Sequence, residues 1–286
     1  MFAITGVTGN VGGELARNLL AAKRPVRAVV RDARKGAEWA GFGCEVAVAD
    51  IEDVASLAAA FEGAEGVFVL VPPMFDPLPG FPEAKKTAAT LKAALEMARP
   101  AKVVYLSTIG AQAARENLLS QHTIIEGVLR ELTVPITFLR PGWFLENASW
   151  DVVPAREKGV ISSFLQPLDR AVPMVSTADI GRVAAELIQE TWSGHRVIEL
   201  EGPARVSPNE IASGFAKVLE QPVRAETVAR DTWEAMFRSQ GMNNPKPRMA
   251  MLDGFNEGWI EFENRGGFLK GKVGLEEMLR RLVAAG

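Results

Sequence analysis

Three glycines near the start of the chain have the spacing of a phosphate-binding turn. Gly6, Gly9 and Gly12 follow a short apolar run and precede a helical pattern, which is the strand–turn–helix context of a dinucleotide site. Gly6 permits a tight turn, Gly9 lets the backbone approach a pyrophosphate, and Gly12 allows close packing of helix against strand. A purely structural turn is the alternative. We expect these residues to contact the cofactor: Gly6, Thr8, Gly9, Asn10, Val11 and Gly12.

The residue that ends the second predicted strand, Arg31, bears on which nicotinamide dinucleotide is bound. An acidic residue at this position accepts a hydrogen bond from the ribose 2′-hydroxyl of NAD, whereas an arginine pairs with the 2′-phosphate of NADP. Asp32 stands one position too late for the ribose contact. A solvated cluster of Arg31 with Arg34 and Lys35 is the alternative. We therefore expect NADPH as the cofactor, in preference to NAD.

Other strand ends fall at the same edge of a parallel sheet, where ligands bind beyond the carboxyl ends of the strands. Asp50 and Ile51 follow the third strand, so Asp50 can accept from the adenine amino group while Ile51 covers the ring. Alternatively, Asp50 caps the helix that begins at Val54. By position alone, four more residues are expected to line the cofactor site: Val71, Pro72, Ser107 and Thr108.

Two ionisable residues on a predicted helix are candidates for catalysis. His122 and Glu126 are four residues apart and therefore share one helical face. His122 can orient the nicotinamide or protonate a reduced carbonyl, and Glu126 can hold the imidazole in one tautomer. An ordinary surface pair is the alternative.

The sixth predicted strand runs into a turn at Pro141 and Gly142 that we also assign to the cofactor site. Gly142 leaves room beside the nicotinamide ring. Trp143, Phe144 and Asn147 follow directly and are expected to form the walls of a flat apolar substrate pocket. Core packing of these large aromatic side chains is the alternative.

Short apolar runs joined by helical patterns must position these residues. Continuous apolar strands connected by helices indicate a parallel sheet covered on both faces, and right-handed crossovers then give a doubly wound, Rossmann-like α/β fold. We predict the strand order 3-2-1-4-5-6, a cofactor domain over residues 1–142 and a substrate-cleft region over 143–286, of which about 176–200 packs back on the first domain. Residues 236–248 are predicted to form a loop or lid. The six strands are predicted at Phe2–Thr5, Val26–Val30, Glu45–Ala49, Gly66–Val71, Lys102–Ser107 and Ile136–Leu139.

Composition excludes several classes of function. The chain has 286 residues with 48% hydrophobic and 23% charged side chains, as in ordinary globular proteins. A net charge of −3 argues against a nucleic-acid partner. A single cysteine, Cys44, excludes an internal disulfide, and two histidines leave little for a metal site. With no signal peptide or membrane-spanning run, we expect a cytoplasmic protein that binds a small molecule, as a monomer or a homodimer.

Taken together, the motifs resemble those of the NmrA-like group of atypical short-chain dehydrogenase/reductases. The resemblance covers roughly residues 1–200. It implies a Rossmann-like domain with a smaller C-terminal part that forms the substrate cleft, and its quinone-reducing members carry a similar His-x-x-x-Glu. The stretches that carry it are Gly6–Gly12, Arg31, Ser107–Ile109, His122–Glu126 and Leu139–Asn147.

One departure from the wider superfamily limits the chemistry. Ordinary members use a Tyr-x-x-x-Lys pair as general acid or base, but the single tyrosine here, Tyr105, lies in a predicted strand and is followed four residues later by Ile109. We therefore expect Tyr105 to be dispensable. The first hypothesis is an NADPH-dependent oxidoreductase acting on quinone-like or other flat, electron-poor acceptors. The alternatives are an NADP(H)-sensing regulator without turnover and a reductase or isomerase of a small secondary metabolite.

Overall fold

A computed structural model describes residues 1–263 and 268–285. Its strands are β1 Phe2–Thr5, β2 Val26–Val30, β3 Glu45–Val48, β4 Gly66–Val69, β5 Val103–Leu106, β6 Ile136–Pro141, β7 Trp143–Phe144, β8 Val160–Ser163, β9 Met174–Val175, β10 His195–Glu201, β11 Arg224–Thr227 and β12 Leu269–Lys270. Its α-helices are α1 Asn10–Ala21, α2 Ala33–Gly41, α3 Val54–Phe61, α4 Pro82–Ala98, α5 Ser120–Leu129, α6 Val152–Lys158, α7 Thr177–Gln189, α8 Pro208–Leu219, α9 Trp233–Ser239, α10 Lys246–Glu257 and α11 Leu275–Ala285. Two 3₁₀ helices span Leu145–Asp151 and Arg230–Thr232.

The central sheet confirms the predicted strand order and extends it. Within the described residues it has eight strands in the order β12-β10-β6-β5-β4-β1-β2-β3, all paired in parallel. The order 3-2-1-4-5-6 is therefore correct, and β10 and β12 add to its β6 side. All six of the predicted strands end at one edge, which is the edge at which a doubly wound sheet binds its ligands.

Helices cover both faces of the sheet. On one face, Leu15 and Leu19 of α1 share a buried core with Ile180 and Ile188 of α7. On the other face, side chains of α3, α4 and α5 form a second buried core with the strands. The helix α7 and the strand β10 thus join residues 177–201 to the first part of the chain, while the division at residue 142 stays a prediction.

The C-terminal region differs from the sequence prediction at one segment. Residues 236–248 were expected to form a loop or lid, but α9 continues to Ser239 and α10 begins at Lys246. The prediction was wrong at both ends: the Met, Asn, Pro and Gly residues of this segment indicated a loop, but Pro247 lies in the first turn of α10. Proline is tolerated in the first turn of a helix, where its missing N–H leaves no intrahelical bond unmade.

The region after β6 builds its own core above the sheet edge. Trp233, Phe237 and Phe255 are buried there with Leu145 and Met174. A smaller cluster joins α6, α8 and α11. Within the described ranges, none of the helices is long and apolar enough to cross a membrane.

Candidate active site

A continuous cleft of about 700 Å³ runs along the carboxyl edge of the central sheet. It extends from Arg31, just after β2, to residues of α10 in the C-terminal region. Ten of the residues assigned to the site from sequence line it: Arg31, Ile51, Val71, Pro72, Thr108, His122, Gly142, Trp143, Phe144 and Asn147.

The glycine turn has the geometry of a backbone cradle. Gly6 adopts φ +66°, a conformation that favours glycine. A Cβ on Gly12 would lie 2.3 Å from the carbonyl oxygen of Gly6, so the closest approach of α1 to the turn requires glycine. No side chain caps the N-terminus of α1 at Gly9, and Thr8 and Asn10 are also exposed. The first backbone N–H groups of α1 are therefore available to an anion.

Arg31 is a cation of the basic cluster beside this turn whose guanidinium is available to a ligand. The guanidinium of the neighbouring Arg34 is held by the Asp32 carboxylate, with Nη2 2.7 Å from Oδ2. The same carboxylate accepts the backbone N–H of Arg34 at 2.9 Å and caps α2, and these hydrogen bonds lower the pKa of Asp32. Arg31 is exposed and has no ion-pair partner among the residues that the structure describes. Asp32 is thus committed to α2 and Arg31 remains available to a ligand.

Asp50 lies beside the cleft, with its carboxylate engaged locally. Oδ1 accepts the backbone N–H of Glu52 at 3.0 Å, whereas Ile51 and Glu52 line the cleft. The alternative that Asp50 caps α3 is wrong, because Asp53 does so by accepting the N–H of Ser56 at 3.0 Å.

The hydrogen-bond partner of His122 is Tyr105. The phenolic oxygen lies 2.7 Å from Nδ1 of the imidazole, although the two residues are 17 positions apart. Burial lowers the pKa of His122 to about 4, opposed in part by the negative charge of Glu126. Burial also raises the pKa of Tyr105 well above its usual value. Both side chains are therefore neutral at physiological pH, and we assign the phenol as the donor to Nδ1, which leaves the ring proton on Nε2.

Glu126 does not hold the tautomer of His122, which corrects the sequence-based expectation. Its carboxylate is buried in a bidentate ion pair with Arg140, at 2.8 Å from Nε and 2.7 Å from Nη2. The hydroxyl of Ser107 donates to Oε1 at 2.6 Å, and Nη2 of Arg130 lies 3.2 Å from Oε2. Burial opposes ionisation, but the bonds from Arg140 and Ser107 hold the pKa of Glu126 below its usual value. Glu126 and the Ser107 hydroxyl therefore belong to a structural network beneath the cleft.

The residues after β6 occupy the part of the cleft that was predicted for the substrate. Trp143 packs edge-to-face on Phe255, with ring centroids 5.2 Å apart, and both line the cleft. A Cβ on Gly142 would lie 2.6 Å from the carbonyl oxygen of Pro173, so packing against that backbone alone accounts for glycine here. Pro141 is buried within β6, and its carbonyl accepts the N–H of Ile109 at 2.9 Å.

Several cleft residues were missed by sequence reasoning. They come from the 3₁₀ helix after β7, from β8 and from α10, segments without a recognisable motif. The α10 pattern carries apolar residues at helical spacing from Met251 to Phe255, and this was the one available signal. The missed residues include Trp150, Asp151, Phe164, Arg248, Met251, Leu252 and Phe255.

Comparison with known proteins places this geometry among characterised reductases. The model of the NmrA-like family matches residues 1–256. An NAD(P)H azoreductase from Xenophilus azovorans is 28% identical over 90% of this chain and 85% of its own length. Quinone oxidoreductase 2 from Escherichia coli is 26% identical over 85% of this chain and 82% of its own. A solved structure of an Escherichia coli NADPH-dependent quinone oxidoreductase in complex with NADPH superimposes with a TM-score of 0.82 and 23% identity over 99% of both chains. The family match confirms the resemblance drawn from the motifs.

Proposed function

This chain belongs to the NmrA-like family, and on that premise we propose that it is an NADPH-dependent oxidoreductase that transfers a hydride to a quinone-like or other flat, electron-poor acceptor. The continuous cleft carries the proposal, because it joins a free arginine at the adenosine end to aromatic walls past His122. The activities of two relatives, an azoreductase and a quinone oxidoreductase, support an acceptor of this class.

The residues at the sheet edge fit a bound NADPH. The glycine turn suits the pyrophosphate for two reasons. A Cβ on Gly12 would clash with the turn, so only glycine allows this close packing, and the N-terminus of α1 is not capped by a side chain. Arg31 would pair with the 2′-phosphate, and Ile51 would cover the adenine. Val71, Pro72 and Thr108 would continue the wall toward the nicotinamide, since they line the cleft after β4 and β5.

The far half of the cleft suits a flat aromatic acceptor. Trp143, Phe144 and Phe255 form apolar walls there, and Asn147 adds one amide. Bound NADPH supplies the hydride, so the protein has to hold the acceptor against the nicotinamide and keep water out. Aromatic walls do both, because flat rings stack on them and exclude solvent.

His122 acts in this proposal as a neutral hydrogen-bond donor. The Tyr105 hydroxyl occupies Nδ1, so the imidazole presents Nε2–H toward the cleft. An N–H held in place stabilises negative charge that develops on an acceptor oxygen or nitrogen, in the way that a neutral histidine polarises a carbonyl in triosephosphate isomerase. Because the pKa of His122 is about 4, water delivers the final proton. Of the roles that the sequence left open for His122, this proposal therefore does not include protonation of the reduced carbonyl.

Parallel measurements of cofactor binding and turnover test the proposal. NADPH binding is measured by calorimetry, and NADPH oxidation is followed with a panel of small quinones and azo compounds. We expect tight NADPH binding and acceptor-dependent oxidation. Tight binding with no oxidation by any acceptor would instead favour the NADP(H)-sensing regulator.

A further inference from the structure

The guanidinium of Arg248 lines the cleft without an anionic partner. Arg248 lies in the first turn of α10 and is partly buried. Its guanidinium carbon sits 4.4 Å from the ring centroid of Phe237, and Nη1 lies 3.7 Å from the thioether sulfur of Met242. Among the residues that the structure describes, no carboxylate lies within ion-pair distance of it. In the part of the chain that the structure describes, Arg248 and Arg31 are the two arginines that line the cleft, and neither has a carboxylate partner there.

The charge of Arg248 is energetically unfavourable in a largely apolar pocket unless something compensates it. Taking the charge out of water is unfavourable unless an anion or hydrogen bonds compensate, and burial lowers the pKa of Arg248, although an arginine stays protonated in proteins. One face of the guanidinium is against Phe237, and a thioether is a weak acceptor. Most of its N–H donors are therefore unused within the described structure, in a group whose planar fork matches oxyanions.

Arg248 stands at the acceptor end of the cleft. The carbonyl of the preceding Pro247 accepts the N–H of Leu118 at 2.8 Å, and Leu118 leads into α5, the helix that carries His122. Arg31 follows β2, three strands from β5 in the sheet, which is roughly 14 Å at the usual strand spacing. The two free cations thus serve opposite ends of the site.

We propose that Arg248 binds an anionic substituent of the acceptor, so that the preferred substrates are aromatic acceptors bearing a sulfonate, carboxylate or phosphate group. This inference rests on the proposed function and specifies the substrate class of the same site. Within the described residues, three carboxylates line the cleft, those of Glu52, Glu83 and Asp151, and none of them forms an ion pair with Arg248.

A pair of acceptors tests the inference: 1,2-naphthoquinone and its 4-sulfonate. The wild type is compared with Arg248→Met and with Arg281→Met, a matched loss of one charge at an exposed pair with Glu277. We expect Arg248→Met to lower kcat/KM for the sulfonate by about 10- to 100-fold, the range of a charged hydrogen bond. For Arg248→Met, kcat/KM with the neutral quinone and the affinity for NADPH should stay within about twofold of the wild-type values. Arg281→Met should leave kcat/KM unchanged with both acceptors.

Each other outcome has a defined meaning. Equal losses on both quinones, or weaker NADPH binding, would overturn the assignment while leaving the reductase proposal intact. Absence of turnover with either quinone would instead count against the proposed function. In that case calorimetry with naphthalene-1-sulfonate still decides, because equal binding by the wild type and Arg248→Met overturns the anion site. If Arg248→Met does not fold, Arg248→Lys replaces it in the comparison, and naphthalene-1-sulfonate is tested as a competitor of the neutral quinone in the wild type. An unchanged preference of Arg248→Lys for the sulfonate, together with no competition, would overturn the anion site.

Discussion

The hydroxyl of Tyr105 lies 2.7 Å from Nδ1 of His122 and links a strand of the central sheet to the helix that borders the cleft. Tyr105 is fully buried, whereas His122 reaches the cleft. The phenol therefore contacts the imidazole from the protein interior and fixes the orientation and the tautomer of the ring. A tyrosine that lacks the usual lysine thus remains connected to the site through a histidine.

Substitutions at Tyr105 and His122 distinguish the residue that donates a hydrogen bond to the acceptor from the residue that holds the donor in place. Tyr105→Phe frees Nδ1 and lets the imidazole adopt the other tautomer, so we expect kcat to fall by about threefold to tenfold with little change in NADPH affinity, a fraction of a full general-acid contribution. His122→Phe removes the hydrogen-bond donor itself and should lower kcat by at least as much. Steady-state kinetics with one quinone measures both. A large loss for Tyr105→Phe with none for His122→Phe would contradict this relationship.

The pH dependence follows from the low pKa of His122, about 4 in the folded state. Because this value lies below the unfolded value near 6.5, the neutral imidazole contributes stability that is lost as pH falls from about 6.5 to 4. We expect the His122-dependent part of kcat to be constant from about pH 5.5 to 8. Asp151, with a pKa of about 6, titrates in that window, so Asp151→Asn is the background for the measurement. A His122 titration near pH 6.5, observed by NMR, would contradict the assignment.

The sequence predicted the order of the strands in the sheet but did not reveal the contact between Tyr105 and His122. Strand order followed from apolar runs and crossover handedness, whereas the Tyr105–His122 contact depends on which face of β5 the phenol occupies. Both faces of a parallel strand are buried, so alternation gives no signal there. Arg248 was missed for a different reason, because the Met, Asn, Pro and Gly residues of the segment 236–248 indicated a loop. Glu126 was placed correctly on the helix, but its partner Arg140 comes from β6, which the local spacing does not reveal.

We predict that the preference for NADPH over NADH depends on Arg31. Arg31→Ala should weaken NADPH binding by about 10- to 150-fold, as expected for a charged contact, and leave NADH binding nearly unchanged. Arg34→Ala is the matched control, because that guanidinium is already held by Asp32 and should change NADPH affinity little. Calorimetry with NADPH and NADH measures the six affinities of the wild type, Arg31→Ala and Arg34→Ala. Equal losses for NADPH and NADH would assign Arg31 a structural role.

Two glycines of the turn should respond differently to the same added methyl group. In Gly12→Ala the Cβ meets the Gly6 carbonyl oxygen at 2.3 Å, so we expect a lower melting temperature and loss of NADPH binding. In Gly9→Ala the nearest atom is at 3.4 Å, so the fold should be retained while the methyl group obstructs the pyrophosphate. Thermal unfolding and calorimetry separate the two effects. Undiminished NADPH binding by Gly9→Ala would place the phosphates elsewhere.

A single-turnover isotope experiment tests the central claim most directly. Protein saturated with NADPH that carries deuterium on one or the other face of C4 is mixed with excess quinone, and nicotinamide oxidation is followed in time. The account predicts rapid quinone-dependent oxidation that is slowed by deuterium on one face only, since one cleft holds the acceptor against one face of the ring. Saturated protein that leaves NADPH unoxidised, or oxidises it at a rate independent of deuterium on both faces, would contradict direct hydride transfer in this cleft.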